Sequence, residues 1–329
     1  MNIQFFKRDD GSSLSYVGDN IHSIVKELGH KTHQKTMNKY IEGDVIKHAD
    51  VGICFGLIRD MHHLNPYKKK VAGLVCETDL TEKEIGRLKE VDPTEIWVPS
   101  QFCIDKFRKA GFRDVYLVPH GIEPAKKITS NSRKNSVLMV FNSYPKNNFH
   151  VERKGIFEVL RAFALVNQAN IFSKTFNKKY KILKDVKLLL RTRFRSYYKK
   201  YDLTNVEFIE RRYQDIGELY GQADIVLCPS GGEGFGLVGL EAIVRGIPLI
   251  STRTGNDYLE FSKYIHLKTK RNEDDILDAL YDGFKNLKDH RYFARKQAIK
   301  MQNKYSWERI ALPIVRKRLE ALFDKSLLI

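Results

Sequence analysis

The apolar residues of this chain gather into short runs that alternate with polar or helix-like stretches. In the first half these runs occupy 51–56, 71–76, 96–98 and 115–118, and in the second half they occupy 136–141, 186–192, 206–209, 223–228 and 246–252. Runs of this length are typical of strands, and nearly continuous apolar strands separated by helices indicate a parallel sheet buried on both faces. The pattern therefore predicts an α/β protein.

Capping residues place several helices between these strands. Ser100 and Gly111 mark the two ends of one helix, and Gly29 ends another that we predict over 21–28. Further helices are predicted at 155–166, at 216–224, after residue 236 and at 305–323. Pro313 interrupts the last of these, and we expect it to kink the helix.

The length of 329 residues is enough for two α/β domains, because a single hydrophobic core stops growing at roughly 250 to 300 residues. A hydrophobic content of 42% with 29% charged residues indicates a globular protein rather than a disordered one. The chain turns polar and rich in Lys and Ser over 123–134. We interpret this stretch as the linker between the two domains.

The stretch from Pro229 to Ala242 carries the strongest chemical signal. It reads Pro-Ser-Gly-Gly-Glu-Gly-Phe-Gly-Leu-Val-Gly-Leu-Glu-Ala and joins a predicted strand to a predicted helix. Glycines let the backbone approach a ligand, and a helix start offers N–H groups and a positive dipole to an anion. With Glu233 in the turn and Glu241 in the helix, the pattern predicts a diphosphate site flanked by acids. A strand, turn and helix of an ordinary α/β protein, with two solvated glutamates, is the competing interpretation.

The residues around this turn favour the first interpretation. Two glutamates with seven residues between them enclose Gly-Phe-Gly-Leu, Leu-Tyr-x-x-Ala-Asp precedes them from Leu219, and Gly-x-Pro follows from Gly246. The block resembles the donor-sugar motif of retaining glycosyltransferases of the GT-B fold, the family 4-like proteins called glycosyl transferases group 1. This resemblance implies two Rossmann-like domains with a cleft between them. It implies an acceptor domain at 1–124, a nucleotide-sugar donor domain at 125–304, and a C-terminal helix at 305–329 that crosses back to the first domain.

The resemblance also assigns roles to residues at matching positions. Lys154, just before a glycine that starts a helix, matches a lysine that binds the donor diphosphate. In the family an arginine often ends the first strand of the donor domain. This chain has Asn142, Ser143 and Tyr144 at that place, and Arg153 is the expected substitute for the arginine. The backbone N–H groups of Gly234, Phe235, Gly236 and Leu237 complete the diphosphate site. Glu233 would orient the sugar hydroxyls, and Glu241 would bind the ribose.

One position departs from the family pattern. Many members carry a histidine near the sugar after a strand of the first domain, and here Glu77 follows that strand. Glu77 is either a polar contact or base for the reaction, or only a cap of the strand, and both interpretations stay open. His62 and His63 are weaker candidates for this role, and a structural role is favoured for His120.

The reaction implied is transfer of a sugar from a nucleotide diphosphate sugar to an acceptor hydroxyl with retention of the anomeric configuration. Because two cations can stand in for a divalent metal, and no Asp-x-Asp lies in a convincing loop, we expect no metal and no cofactor. The expected donor is a UDP- or GDP-linked sugar. Alternatives are an inverting GT-B transferase or a sugar-nucleotide epimerase, each of which needs a base in the first domain, and a polyanion-binding protein on a degenerate GT-B scaffold.

The charge of the chain bears on its partners. The formal net charge is +17. Basic residues crowd one stretch, where Asp185 is the single acid: Lys174, Lys178, Lys179, Lys181, Lys184, Lys187, Arg191, Arg193, Arg195, Lys199 and Lys200. Such a field attracts polyanions and acidic membranes. A glycan, lipid or other hydroxyl acceptor, which can be anionic, and peripheral association with an acidic membrane are favoured over nucleic acid, since no zinc-finger, RNP or helix-turn-helix signature is present.

The apolar runs of the chain also bear on where the protein is located. The opening residues lack the apolar region of a signal peptide, and no apolar run approaches the roughly 18 residues of a membrane span. We therefore expect a cytoplasmic protein, with the inner membrane surface as a place of peripheral association.

The four cysteines show no Cys-x2-Cys spacing, which predicts buried free thiols rather than a zinc site.

Overall fold

The computed structural model describes residues 1–10, 12–37, 48–123, 125, 135–141, 152–167, 178–192, 195–198, 204–210, 216–252, 267–268 and 272–323. The chain folds into two compact units, Met1–Glu123 with Lys304–Ile329 and Pro124–Asn303. Most of the predicted linker at 123–134 lies outside the described residues.

The first unit is built around a parallel sheet of six strands in the order β2-β1-β3-β4-β5-β6. The strands are β1 Asn2–Lys7, β2 Lys31–Thr36, β3 Val51–Phe55, β4 Lys70–Gly73, β5 Glu95–Val98 and β6 Val115–Leu117. The helices between them are α1 Ser13–Glu27, the 3₁₀ helix Ile58–Leu64, α2 Glu82–Val91 and α3 Gln101–Lys109. Strands β3 and β5 are buried along their whole length, as the apolar runs predicted.

The second unit repeats this plan with a parallel sheet in the order β12-β11-β10-β7-β8-β9. The first half of the unit contains β7 Ser136–Val140, α4 Ile156–Asn167, the 3₁₀ helix Lys181–Leu183, β8 Lys187–Arg191, α5 Arg195–Tyr198 and β9 Val206–Ile209. The second half contains α6 Ile216–Tyr220, β10 Ile225–Cys228, α7 Leu237–Val244, β11 Leu249–Ser251, β12 Leu267–Lys268, α8 Glu273–Lys285 and α9 Leu287–Lys304. The predicted α/β architecture with parallel sheets is confirmed.

The first helix corrects one prediction. It begins at Ser13 rather than at residue 21, because the side chain of Ser12 accepts a hydrogen bond from the Ser15 N–H at 3.3 Å and caps it. The run of Gly and Ser before it resembles a loop in sequence, although Ser is a favoured N-cap. The C-terminal end was placed correctly, since Gly29 takes a left-handed φ of 82°.

The C-terminal segment forms two helices, α10 Trp307–Ile310 and α11 Leu312–Phe323, and both belong to the first unit. Pro313 lies in the first turn of α11, so it starts a helix rather than kinking one. In the first turn its missing N–H costs nothing. None of the helices in the described ranges combines the length and apolar composition needed to cross a bilayer.

A buried ion pair attaches α11 to the first sheet. The Glu95 carboxylate accepts hydrogen bonds from Trp97 Nε1 at 2.7 Å and from Arg318 Nε at 3.1 Å, and Arg318 Nη2 pairs with its other oxygen. The Arg318 guanidinium also lies 3.4 Å from the centre of the Tyr116 ring. Because the Glu95 side chain is only 6% exposed, these donors take the place of the water that would otherwise solvate its carboxylate.

We expect Arg318→Ala to lower the free energy of unfolding of the first unit by about 3 kcal/mol, because it leaves the Glu95 carboxylate buried without a cation. The two tryptophans of the chain, Trp97 and Trp307, both belong to this unit, so tryptophan fluorescence in urea reports its unfolding. Arg316→Ala, an exposed arginine of the same helix, should change stability by less than about 0.5 kcal/mol. Equal unfolding midpoints for the two variants would contradict this role.

Candidate active site

The candidate site lies at the carboxyl end of the second sheet, where the strand order reverses. Strand β7 pairs with β8 on one side and with β10 on the other. The chain proceeds from β7 through β8 to β9, and then returns to build β10, β11 and β12 on the opposite side. The carboxyl ends of β7 and β10 therefore mark the point where the strand order reverses, the usual ligand position in such sheets.

The glycine-rich turn after β10 ends in a left-handed residue. Gly236 has a φ of 92° and forms the N-cap of α7, as its position in the predicted turn requires. Its carbonyl oxygen accepts the first helical hydrogen bond, from Leu240 N–H at 3.2 Å. The opening turn of a helix directs backbone N–H groups outward, and here they are directed toward the carboxyl edge of the sheet.

A second loop is held directly against this turn. Gly155 takes a φ of 72°, and a Cβ at this position would lie 2.6 Å from the Pro229 carbonyl oxygen. The Gly231 N–H donates to the Arg153 carbonyl oxygen at 2.6 Å, and the Arg153 guanidinium donates in return to the Gly232 carbonyl oxygen. These contacts fix the loop before α4 on the glycine-rich turn.

This contact brings three predicted site residues together. Lys154 Nζ forms an ion pair with Glu233 Oε1, and Arg153 Nη1 lies 3.9 Å from the same oxygen. The side chains of Lys154 and Glu233 are 23% and 17% exposed, whereas that of Arg153 is 6% exposed. Burial alone would raise the pKa of Glu233, but the two cations outweigh it and hold this pKa below its usual value. Glu233 is therefore ionised at neutral pH.

The second glutamate has the opposite electrostatics. Glu241, half-buried in α7, accepts a hydrogen bond from Tyr220 Oη at 2.5 Å. Arg245 stacks over the Tyr220 ring at 5.2 Å and donates to the Glu241 carbonyl oxygen at 3.0 Å. Burial raises the pKa of Glu241 in spite of the tyrosine hydrogen bond and the arginine charge. Burial likewise raises the pKa of Tyr220, which stays a donor.

Tyr220 was not among the predicted site residues. Its signal was present in the sequence, since it is the tyrosine of the Leu-Tyr-x-x-Ala-Asp segment before β10. The contact with Glu241 spans 21 residues and forms because α6 and α7 flank the same strand. Residues 142–144, which stand where the family has its strand-end arginine, lie outside the described residues.

The remaining candidates lie in the first unit. Glu77 is half-buried after β4, and its charge acts on the buried thiol of Cys103. The rings of His62 and His63 lie 4.1 Å apart in the 3₁₀ helix, and burial lowers the pKa of His63. His120 packs on Trp307 with ring centres 6.3 Å apart, and burial lowers its pKa to about 3.

The four cysteines are free thiols, as predicted; Cys54, Cys76 and Cys103 are buried and Cys228 is half-buried. In the part of the chain that the structure describes, no group of three or more His, Cys, Asp and Glu residues is arranged to hold a metal ion.

We expect Gly155→Ala to destabilise the second unit by about 2 kcal/mol, because alanine is strained at positive φ and its Cβ would overlap the Pro229 carbonyl oxygen. Gly86→Ala, in α2 of the first unit, is the control for a tolerated glycine-to-alanine change, since a Cβ there meets nothing within 4 Å and alanine suits the helix interior. Thermal unfolding followed by circular dichroism compares the two. An unchanged melting temperature in Gly155→Ala would mean that the loops separate at little cost.

Residues 148–281 match the family model described as Glycosyl transferases group 1. An uncharacterized glycosyltransferase of Methanocaldococcus jannaschii is 24% identical over 200 residues, which span 58% of this chain and 55% of that relative.

Solved structures match almost the whole chain. A sucrose-phosphate synthase from Thermosynechococcus elongatus superposes with a TM-score of 0.71 at 14% identity, over 98% of this chain and 99% of that one. HepE from Anabaena, in complex with UDP-glucose, superposes with a TM-score of 0.72 at 12% identity, over 98% of this chain and 100% of that one. The predicted GT-B fold is confirmed.

Proposed function

We propose that this protein transfers a sugar from a nucleotide diphosphate sugar to an acceptor hydroxyl, with retention of the anomeric configuration and without a metal ion. The observation that carries the proposal is the cluster of Arg153, Lys154 and Glu233, held by backbone contacts at the start of α7. It combines cations for a diphosphate with an ionised carboxylate for a sugar.

The diphosphate is the leaving group, so the main chemical task is to stabilise negative charge as the glycosidic bond breaks. Arg153 and Lys154 supply two positive charges, and Glu233 cancels one of them. The helix start adds the partial positive charge of its N–H groups. Because these groups are fixed before the substrate arrives, they need no reorganisation in the transition state. This is the basis for proposing metal-independent chemistry.

The two glutamates are suited to different parts of the donor. A carboxylate only accepts hydrogen bonds, so ionised Glu233 can bind sugar hydroxyls while Lys154 restrains it. Lys154 has three donor hydrogens and can serve the carboxylate and a phosphate oxygen together. Glu241 accepts one hydrogen bond from Tyr220 and keeps lone pairs for the hydroxyls of a ribose.

Retention needs no protein nucleophile in this proposal. The acceptor hydroxyl attacks from the face that the diphosphate leaves, and a phosphate oxygen takes its proton. The second unit holds the donor, and the first unit provides the acceptor side, where Glu77 is either a polar contact or base or only a cap of its strand. The UDP-glucose bound to HepE makes a UDP-hexose the first donor to test, with GDP-sugars second. The acceptor is a glycan, lipid or other hydroxyl.

We expect UDP or GDP to raise the melting temperature equally well in EDTA and in Mg²⁺ or Mn²⁺, because Arg153 and Lys154 supply the charge for the diphosphate. A ligand that binds only the folded protein stabilises it by mass action. A thermal-shift series with UDP, GDP, ADP and their sugar conjugates measures the rise in melting temperature and ranks the nucleotides by it. Stabilisation that appears with Mn²⁺ or Mg²⁺ and vanishes in EDTA would contradict the metal-free site.

Substitution of the two glutamates should affect different properties, turnover for Glu233 and nucleotide affinity for Glu241. We expect Glu233→Gln to lower the release of UDP from UDP-glucose about 100-fold with UDP affinity unchanged or higher, since Lys154 is freed for the diphosphate. Glu241→Ala should weaken UDP binding by about tenfold or more through lost ribose hydrogen bonds. Glu218→Gln, an exposed glutamate of α6, is the control and should change neither. Calorimetry measures the affinity for UDP. Equal effects of Glu233→Gln and Glu241→Ala on this affinity would contradict the proposal that Glu233 binds the sugar and Glu241 the ribose.

A further inference from the structure

Helix α9 has one face fixed to the second unit. It runs for 18 residues, and its buried side chains are Ala294, Ala298 and Met301. On the same side Arg291 pairs with buried Asp224, and Gln302 Nε2 donates to the Val244 carbonyl oxygen at 2.6 Å. These contacts hold the helix, about 27 Å long, with its opposite face outward.

The outward face carries large apolar side chains in solvent. Lys288, Tyr292, Arg295 and Ile299 follow the spacing i, i+4, i+7 and i+11, which places them along one stripe. Tyr292 is 70% exposed and Ile299 is 61% exposed, with Phe293 at 43% beside them. Within the described ranges, Tyr292 and Ile299 are the two most exposed large apolar residues. Large apolar side chains exposed together on one face of a helix favour a contact surface.

The charge on α9 is strongly positive. Its basic residues are Lys288, Arg291, Arg295, Lys296, Lys300 and Lys304, and Asp289 is its single acid. Lys288, Arg295 and Lys296 are exposed on or beside the stripe. A stripe in which lysine and arginine alternate with tyrosine and isoleucine is suited to the bilayer interface, where tyrosine lies at the headgroups and cations meet lipid phosphates.

We propose that the stripe of Lys288, Tyr292, Arg295 and Ile299, with Lys296 beside it, docks helix α9 lengthwise on a bilayer that contains acidic lipid. Protein interfaces are depleted of lysine at their centres, and Ile299 has nothing to gain from the phosphates that supply most of the affinity for nucleic acid. A bilayer surface accommodates both features. The proposal does not depend on glycosyl transfer, because none of these residues belongs to the donor site.

The basic stretch at 174–200 is a weaker surface of this kind. Its exposed Lys178, Lys181, Lys184 and Lys187 accompany a single exposed apolar residue, Ile182 at 42%, among the residues of this stretch that the structure describes. Lys179 is engaged with Asp278. Lys174, Arg193, Lys199 and Lys200 lie outside the described residues. This stretch therefore provides the control for the experiment rather than the site.

The test is co-sedimentation of the full chain with vesicles of phosphatidylglycerol and phosphatidylcholine, compared with phosphatidylcholine alone. We expect Arg295→Ala with Lys296→Ala to lower the partition coefficient about 30-fold, the effect of two charges near an acidic surface. Tyr292→Ser with Ile299→Ser should lower it about tenfold, since apolar area no longer enters the interface. Lys181→Ala with Lys184→Ala should leave it unchanged. The melting temperature and its increase with UDP should be the same in all three variants, because every altered side chain is exposed.

Several outcomes would overturn the proposal. Equal losses in the α9 charge variant and the control would mean that net charge alone binds the vesicle. Full binding by the Tyr292→Ser, Ile299→Ser variant would rule out insertion. Binding that is equally tight to phosphatidylcholine alone would rule out recognition of acidic lipid. If the same variants instead abolish self-association in sedimentation, or binding of a duplex RNA, while vesicles stay unbound, the stripe is a protein or nucleic-acid surface.

Discussion

The candidate site depends on the close backbone contact between the loop before α4 and the turn after β10. Gly155 permits this contact because it has no Cβ to meet the Pro229 carbonyl oxygen and because it can take a left-handed conformation. The contact places Lys154 and Arg153 beside Glu233, 79 and 80 positions away in the chain. The distance between these charged side chains is therefore set by the backbone contact and not only by their mutual attraction. A site arranged in this way is ready for its ligand before binding, which is the condition for strong electrostatic stabilisation.

The two glutamates of the site have the same side chain, but their surroundings shift their pKa values differently. Glu233 lies beside two cations that favour its charged form, whereas Glu241 lies in a helix beside a tyrosine, where burial opposes its charge. Their pKa values are displaced in opposite directions, a pattern that marks pairs of carboxyl groups with separate roles. Because Glu241 accepts its hydrogen bond from Tyr220, the orientation of its carboxylate depends on the tyrosine hydroxyl.

The sequence predicted the parts of the fold that local patterns encode. Strands such as β3, β5 and β8 were found because most of their residues form apolar runs bounded by turns. Strand β2 has the sequence Lys-Thr-His-Gln-Lys-Thr and could not be recognised, since it is an edge strand that exists only through its pairing with β1. The same holds for the site: the glycine turn and Lys154 were visible locally, but the Tyr220 contact and the ion pair between Lys154 and Glu233 required the strand order.

The path of the chain through its two units affects the order in which they can be completed. The second unit is continuous, Pro124–Asn303, whereas the first combines Met1–Glu123 with Lys304–Ile329. During synthesis the Glu95 carboxylate is made long before Arg318, the cation that neutralises it. Domains generally fold as units while the chain emerges from the ribosome. Here we expect the second unit to finish folding first. The sheet of the first unit should reach its final stability only after α11 has been synthesised and has packed against it.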